Sequence, residues 1–165
     1  MARPAGMRAA VLVPLYEDGP DLRLILTRRG GGMATHPGDV VFPGGMVEPG
    51  DAGPEDTARR EAWEEIGLPP EGVEVLGGLE PTSTRSADML IVPVVARVSR
   101  PERFVLAPGE VEAVLEPRLA DLLDESTWQQ QEWAGFTVWF RPFPEGMLWG
   151  ATARMVRSLL EYFRD

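Results

Sequence analysis

The sequence predicts an α/β fold in which a mixed β-sheet packs between helices. Strand-like and helix-like segments alternate along the whole chain, and no repeat or low-complexity linker separates them. The length of 165 residues fits one domain, which we expect to span residues 1–165. With 44% hydrophobic and 25% charged residues, the composition is that of a soluble globular protein.

Six apolar or β-branched runs are predicted as strands. The first two flank the turn-prone residues 17–21, which suggests a hairpin or an adjacent pair. The third run is short and ends at Pro43, and the last lies between Gly135 and Pro142. The six runs are residues 9–16, 22–27, 40–42, 73–79, 90–98 and 136–140.

Three segments are predicted as helices, at residues 54–66, 118–123 and 151–163. Gly67 ends the first helix, and two prolines follow shortly after it. In the last helix Met155, Leu159, Leu160 and Phe163 recur at helical spacing, so we expect all four to lie in the core.

The charge balance excludes some classes of function. Sixteen Lys and Arg against 26 Asp and Glu give a net charge of −10, which disfavours sequence-independent nucleic-acid binding and attachment to an anionic membrane. The absence of Cys excludes disulfides, thiolate nucleophiles and zinc–thiolate sites. The apolar run 9–15 is too short to span a membrane and is broken by Pro14, so we expect a cytoplasmic protein.

The first helix carries three carboxylates on one face. At about 100° per residue, Glu64 and Glu65 lie on either side of Glu61, while Ala62 and Ile66 lie on an adjoining face that can pack on a sheet. Like charges at this spacing destabilise a helix, and a hard divalent cation would offset that repulsion. A solvated acidic face is the alternative explanation of the same pattern.

The residues around this helix resemble the signature of the Nudix hydrolase family. That signature is a Gly, five residues, a Glu, seven residues, and then Arg-Glu-aliphatic-x-Glu-Glu-x-Gly-aliphatic. Gly45 matches the first Gly, and residues 60–68 match the second half at every fixed position. Asp51 replaces the isolated Glu, and eight residues rather than seven separate it from Arg60, which indicates a lengthened loop.

This resemblance implies a Nudix-type α/β/α sandwich with a mixed β-sheet, and a hydrolase of nucleoside diphosphates linked to another group. It implies that Glu61, Glu64 and Glu65 hold Mg²⁺ or Mn²⁺, which acidifies a water for attack. Glu61 and Glu64 are therefore also candidate catalytic residues. Arg60 is expected to orient a glutamate, and Gly67 to support the structure.

A second segment resembles the marker of the coenzyme A pyrophosphatase branch of this family. The marker runs Leu-Leu-Thr-x-Arg, a small residue, three residues, Arg, three residues, Gly, three residues, Phe-Pro-Gly-Gly, and residues 25–45 keep its spacing. Ile25 replaces the first Leu, Gly30 stands at the small position where Ser or Ala is usual, and Ala34 stands where the branch has Arg. Segments 81–86, 92–95 and 148–153 also resemble that branch.

The branch resemblance implies that coenzyme A is cleaved to 3′,5′-ADP and 4′-phosphopantetheine. Arginine forks suit phosphate oxygens, although these side chains could equally be ordinary surface charges. A paired glycine after a strand allows close approach to a phosphate or to another segment of the chain. The candidate substrate-binding residues are Arg28, Arg29, His36, Gly44, Gly45 and Arg85.

Several candidate residues also have structural explanations. His36 could act as a base, but a local structural or substrate-contact role is favoured. Glu110 matches a Glu-Val pair of the branch and is a candidate metal ligand or base, with Glu112 as the substitute if the register has slipped. The five tryptophans are expected to pack in the core or at an interface, and Trp63 faces away from the carboxylates.

Two other functions stay open at this point. Ala34 favours a Nudix hydrolase of ADP-ribose, NADH or other nucleoside diphosphate derivatives. A non-catalytic nucleotide-binding module would keep the fold without the reaction, but no carboxylate of the signature helix is lost. The expected partner is a small nucleoside diphosphate, with no nucleic acid and no membrane, and the apolar face at Trp63 would suit a homodimer.

Overall fold

Residues 7–33, 37–83 and 89–164 are described by a computed structural model, and this part of the chain contains three α-helices and twelve strands. The helices are α1 (Pro54–Ile66), α2 (Leu119–Leu122) and α3 (Gly150–Leu160). The strands are β1 (Met7–Asp18), β2 (Asp21–Leu24), β3 (Leu26–Arg29), β4 (Asp39–Val41), β5 (Gly44–Met46), β6 (Val73–Gly78), β7 (Thr82–Ser83), β8 (Met89–Val98), β9 (Val111–Leu115), β10 (Gln129–Trp133), β11 (Phe136–Phe143) and β12 (Gly146–Trp149).

The strands form two mixed sheets. The first has the order β2-β1-β8-β6, with β5 also paired to β1 and β7 to β8, and its parallel pair is β1 with β8. The second has the order β10-β11-β12-β4-β3-β9, and its parallel pair is β12 with β4. The predicted α/β class is confirmed, but two mixed sheets take the place of the single sheet that the sequence suggested.

The predicted strand 22–27 is divided between the two sheets. It breaks at the fully buried Ile25, whose N–H donates to the Pro14 carbonyl at 3.0 Å. As a result β2 pairs with β1 in the first sheet, and β3 pairs with β4 and β9 in the second. The predicted pairing of the first two runs is therefore confirmed for the half that forms β2.

Strand β1 separates two apolar layers, because successive side chains of a strand point to opposite faces. Ala10 and Leu12 belong to the cluster that contains the apolar side of α1. Val13 and Leu15 belong to the other cluster, which contains the buried side of α3. The α/β/α arrangement follows from this alternation, and it places α1 against the first sheet.

The predicted helices are present, but the last one ends early. Helix α3 stops at Leu160 and is followed by a 3-10 turn at Glu161–Phe163. Met155, Leu159 and Leu160 are buried as expected, whereas Phe163 is 42% exposed. The prediction for Phe163 was wrong because the tighter turn rotates that side chain out of the apolar stripe. The described helices include none that could span a membrane.

Three of the five tryptophans pack against other aromatic rings. Trp128 is buried and meets Trp139 edge to face, with ring centroids 6.3 Å apart. Trp149 stacks on Phe140 at a centroid distance of 6.0 Å. The exception in this late region is Trp133, which is 59% exposed at the end of β10.

A polar cluster fixes the end of β9 against the first sheet. Tyr16 is 8% exposed, and its hydroxyl donates to Glu116 Oε1 at 2.6 Å. Arg100 donates to both carboxylate oxygens of Glu116 and lies over the Phe104 ring at 4.9 Å. Burial, and then the hydrogen bond to Glu116, raise the pKa of Tyr16 to about 12.

We predict that Glu116→Gln lowers the pKa of Tyr16 part of the way toward its ordinary value of 10.0, because the negative charge is lost while the burial remains. Ultraviolet titration in a Tyr162→Phe background measures this pKa alone. Glu74→Gln, an exposed change on β6, is the control.

The same shift predicts a sign for stability. Since folding raises the phenol pKa, the contribution of Tyr16 is complete below pH 10.0 and is lost as the pH rises through about 12. An unchanged titration midpoint in Glu116→Gln would show that the hydrogen bond to Glu116 does not hold the phenol proton.

Candidate active site

The position of α1 is set by its caps and its apolar side. Pro54 occupies the first turn, and Gly67 ends the helix in the left-handed conformation, with φ of 72°. Ala58, Ala62 and Ile66 are fully buried against the first sheet. Because these three side chains fix the rotation of the helix, its acidic side is turned toward β5.

Two glycines allow β5 to pass between β1 and the acidic side of α1. A Cβ on Gly44 would lie 2.5 Å from the Ala10 carbonyl oxygen, and a Cβ on Gly45 would lie 2.5 Å from Glu61 Oε1. At Gly44 the clash would be with backbone, whereas a side chain at Gly45 would displace the Glu61 carboxylate. Gly44 also donates its N–H to Glu65 Oε1, at 3.4 Å. The glycine pair therefore allows the backbone of β5 to come close to β1 and α1. Close approach to another segment of the chain was one of the two explanations of the pair in the sequence analysis.

Glu61 and Glu65, which we call the acidic pair, are in contact through a side-chain hydrogen bond. Burial raises the pKa of Glu65 far above the ordinary range, and the hydrogen bond and negative charge of Glu61 raise it further. The charge of Glu110 acts in the same direction, while the Gly44 N–H opposes it. In the absence of a cation, two adjacent carboxylates cannot both be ionised at low cost.

Arg60 organises the other side of the helix through Asp51. Its Nε donates to Asp51 Oδ1 at 3.1 Å and its Nη2 donates to Asp51 Oδ2 at 3.0 Å, which is a bidentate pair. The Asp51 side chain is only 7% exposed and also accepts from the Thr57 hydroxyl at 2.7 Å. Asp51 thus binds Arg60 rather than reaching the acidic pair.

Arg60 also reaches two glutamates of its own helix. Its Nη1 donates to Glu61 Oε1 at 3.0 Å and to Glu64 Oε2 at 3.2 Å. The Glu64 side chain is 53% exposed, so its carboxylate lies in contact with both Arg60 and solvent. Of the three carboxylates predicted to act together, the structure brings Glu61 and Glu65 into contact and leaves Glu64 with Arg60.

Glu110 lies in the loop before β9, at the level of the end of α1. The Ala107 N–H donates to the Glu65 carbonyl at 2.9 Å, and the Glu110 N–H donates to the Ala107 carbonyl at 3.2 Å. The Glu110 side chain is exposed. One short segment therefore links the backbone of Glu65 to that of Glu110.

Arg28 lies on β3 and carries an unsatisfied donor. Its Nη1 forms an ion pair with Glu112. In the described part of the chain, the Arg28 Nε is the buried side-chain nitrogen or oxygen that lacks a hydrogen-bond partner. Arg29 is the last residue of β3 and is half-buried. His36 and Arg85, also predicted to bind substrate, lie outside the described residues.

The residues present fit a hard divalent cation by the chemistry of their donors. Within the described ranges, no three acidic or histidine side chains have the arrangement of a complete metal site. The acidic pair nevertheless offers oxygen ligands, which are the ligands that Mg²⁺ and Mn²⁺ prefer. A cation would also favour the ionised form of Glu65, whose pKa is raised by burial first and then by the hydrogen bond and charge of Glu61.

Two contacts of the site were missed by the sequence analysis. Glu112 accepts from Arg28 and also from the Gly31 N–H, at 2.6 Å. It follows Glu110 by two residues, and this alternation was the available signal that both could lie on one side of the chain. The close packing of Gly30 against Gly109 left no such signal, because it joins two loops far apart in sequence.

Trp63 lies on an exposed part of α1. It is 54% exposed and, with Glu64, Gly67 and residues 105–108, lines an open cleft of about 380 Å³. That Trp63 faces away from the carboxylates stays a prediction, since Glu64 lines the same cleft.

We predict that Asp51→Asn lowers the melting temperature, because Arg60 loses its bidentate anionic partner. The Arg60 hydrogen bonds hold the pKa of Asp51 well below its usual range. The stabilisation is therefore present at neutral pH and is lost as the pH falls below the ordinary carboxyl range toward that lower pKa. Thermal unfolding measured across the acid range should show a smaller pH dependence in the variant.

The matched control is Glu48→Gln, since Glu48 is 56% exposed and lies 3.6 Å from Arg60. It should leave the melting temperature nearly unchanged. Equal melting temperatures for the two variants would contradict the role of Asp51 as the main anchor of Arg60.

Comparisons with known proteins agree on one family. The family model described as NUDIX domain matches residues 6–147. The chain is 39% identical over 157 residues to Nudix hydrolase 15, mitochondrial, of Arabidopsis thaliana, which covers 88% of this chain and 55% of that protein. It is 36% identical over 157 residues to the uncharacterized Nudix hydrolase NudL of Enterobacter sp. (strain 638), covering 92% of this chain and 80% of NudL. The chain thus spans about half the length of the plant relative.

Solved structures show the same fold. A Caenorhabditis elegans Ap4A hydrolase binary complex has a TM-score of 0.64 at 16% identity and covers 95% of this chain and 97% of its own. The NUDIX domain of Shewanella oneidensis NrtR, complexed with ADP ribose, has a TM-score of 0.62 at 18% identity and covers 98% and 91%. Together with the acidic helix and its glycine pair, the family model and the similarity to NudL over 92% of this chain identify the chain as a member of the Nudix hydrolase family.

Proposed function

We propose that the protein is a metal-dependent pyrophosphohydrolase that cleaves coenzyme A or its derivatives to 3′,5′-ADP and 4′-phosphopantetheine or its derivative. The family supports the coarser activity, hydrolysis of nucleoside diphosphate derivatives. The observation that carries the proposal is the acidic pair Glu61 and Glu65, held against Gly44 and Gly45. Those glycines end the segment that resembles the coenzyme A marker, and Arg28 lies near its beginning.

Glu61, Glu64 and Glu65 would hold the divalent ion, Mg²⁺ or Mn²⁺. When bound, such an ion supplies charge neutralisation at the diphosphate oxygens and makes a water more acidic. In the structure Arg60 contacts Glu64, while the carboxyls of Glu61 and Glu65 share a hydrogen bond. Arg60 and Asp51 stay outside the reaction and keep the acidic side of α1 oriented.

The chain's own groups have separate tasks in this proposal. Glu110 or Glu64 accepts the proton of the attacking water, whose oxygen forms a new bond to one phosphorus. The bridging oxygen leaves with the second phosphoryl group as the anhydride bond breaks. Arg28 offers its guanidinium group to a phosphate oxygen, in a fork that suits this ligand. Arg29, His36 and Arg85 complete the substrate-binding set.

ADP-ribose, NADH or a broader group of nucleoside diphosphate derivatives is the second candidate substrate class. Ala34 favours it, because the branch marker has an arginine at that position. Coenzyme A carries a ribose phosphate that ADP-ribose lacks, so the loss of one cation matters more for coenzyme A. A neighbour of the same fold was solved with ADP ribose, which is consistent with this class. A non-catalytic nucleotide-binding module is disfavoured, since every carboxylate of the signature helix is retained.

The proposal extends to the setting of the enzyme. Residues 1–165 act as one Nudix domain on a small molecule, without nucleic acid or a membrane, and we propose a cytoplasmic location. A second copy of the chain would suit the exposed face at Trp63.

The direct test is a product assay with a substrate panel. Purified protein is incubated with Mg²⁺ or Mn²⁺ and with coenzyme A, ADP-ribose, NADH or a dinucleoside polyphosphate, and the products are separated by chromatography. We expect 3′,5′-ADP from coenzyme A at the highest kcat/KM of the panel. A higher kcat/KM for ADP-ribose or NADH would contradict the substrate, and the absence of any hydrolysis would contradict the activity.

In the same assay, Glu65→Gln should lower turnover by about a hundredfold or more, since a hard anionic ligand is lost. Stability should change far less, because a neutral amide replaces a carboxyl whose charged form is already disfavoured by burial. Thermal unfolding without metal checks this point. Glu55→Gln, an exposed change in the first turn of α1, is the control. A folded Glu65→Gln variant with full activity would show that the metal assignment is wrong.

We predict that Arg28→Ala raises KM about tenfold while kcat changes by less than about twofold, because the lost contact is with a phosphate whose charge changes little in the reaction. Steady-state kinetics on the preferred substrate measures both constants. Arg97→Ala, which removes a 61% exposed arginine from β8, is the control for a general loss of positive charge. If KM is the same in wild type and Arg28→Ala, Arg28 is a surface charge.

A further inference from the structure

Two loops cross at Gly30, close to the proposed site. Gly30 follows β3 and is buried, and its N–H donates to the Glu110 carbonyl at 2.9 Å. A Cβ on Gly30 would overlap the Gly109 carbonyl group, lying 2.8 Å from its carbon. The backbone of Gly30 is not in the left-handed region, so the constraint on this residue is space alone.

The same crossing holds Glu110 from the other side. Glu110 and Val111 both donate their N–H groups to the Ala107 carbonyl, at 3.2 and 3.1 Å. Ala107 in turn donates to the carbonyl of Glu65, at 2.9 Å. The backbone around Glu110 is therefore anchored at one end to the acidic pair and at the other end to Gly30.

We propose that Gly30 is a positioning residue for Glu110, and that its lack of a side chain sets the distance of the Glu110 carboxylate from the acidic pair. This inference rests on the proposed function and, of its two candidate proton acceptors, takes Glu110 rather than Glu64. It also gives a physical reason for one departure from the coenzyme A marker, since the small residue of that marker is glycine here. A larger residue at position 30 must push residues 109–110 away from β3.

Gly30→Ala tests the proposal, and Gly32→Ala is its matched control. Gly32 lies in the same loop and is exposed, and a Cβ there would be 3.9 Å from the Gly109 oxygen, an ordinary contact. We expect kcat to fall about tenfold or more in Gly30→Ala, because a displacement of about 1 Å in a catalytic group is costly. In Gly32→Ala the change should be less than about twofold.

A double-mutant cycle separates positioning from a general structural effect. Glu110→Gln should also lower kcat, and adding Gly30→Ala to it should then change kcat by less than about twofold, because there is no longer a carboxylate to misplace. Hydrogen–deuterium exchange of the metal-free protein supplies a second readout. The amides of Glu110 and Val111 should exchange faster in Gly30→Ala than in wild type or Gly32→Ala.

Three results would overturn the inference. Gly30→Ala and Gly32→Ala could show equal kcat, or Gly30→Ala could cost the same factor in the Glu110→Gln background as in wild type. In the third, Glu110→Gln keeps the wild-type kcat, and then the role of Glu110 in the proposed function fails as well. A loss in Glu110→Gln without a loss in Gly30→Ala contradicts the positioning alone.

Discussion

The contact between two adjacent carboxyl groups, Glu61 and Glu65, is the interaction on which the site depends. This contact does not stabilise helix α1 itself, because acidic residues four positions apart repel each other. The contact is imposed by the buried side of the helix, which fixes its rotation on the first sheet, and by two glycines that bring β5 up to the carboxyls. Packing thus holds the two carboxyls in an electrostatically unfavourable contact, and a bound cation would make that contact favourable.

A second network, between Asp51 and Arg60, limits how strongly Arg60 pairs with the glutamates of α1. Asp51 is almost fully buried and neutralises Arg60 through a bidentate pair, and Arg60 in turn contacts Glu61 and Glu64. An arginine without Asp51 would be free to pair with the acidic side chains fully and so compete with a cation for them. The chain has a net negative charge and the proposed substrate is an anion, so the two repel each other. A cation bound by free carboxylates would offset this repulsion, which is why the pairing of Arg60 with Asp51 matters.

Much of the fold could be predicted because its signals are local. Apolar periodicity together with a proline start and a glycine end defined helix 54–66 at both ends, and it is helix α1. The break at Ile25 was not predictable, because the residues before and after it are buried just as Ile25 is. Only the partner strand changes at this point. Strand β10 was missed because all five of its residues are exposed and carry no apolar alternation.

The site divides in the same way. The residue types and spacing on α1 predicted that acids share one side, since that depends on helix geometry alone. Which of these acids meet depends on Arg60, whose choice of partners follows from a loop that brings Asp51 to it. The crossing of Gly30 with Gly109 joins positions 79 residues apart, and no local pattern encodes such a contact.

The central claim is that the acidic pair binds a divalent cation, and manganese titration by calorimetry tests it most directly. Wild-type protein and the Glu61→Gln variant are titrated with Mn²⁺ without substrate, with Glu55→Gln as the reference for non-specific binding to acidic surface. The account predicts saturable binding in wild type and in Glu55→Gln that is weakened at least tenfold in Glu61→Gln, about 1.4 kcal/mol. Equal affinity in all three proteins, or no saturable binding in any, would contradict it.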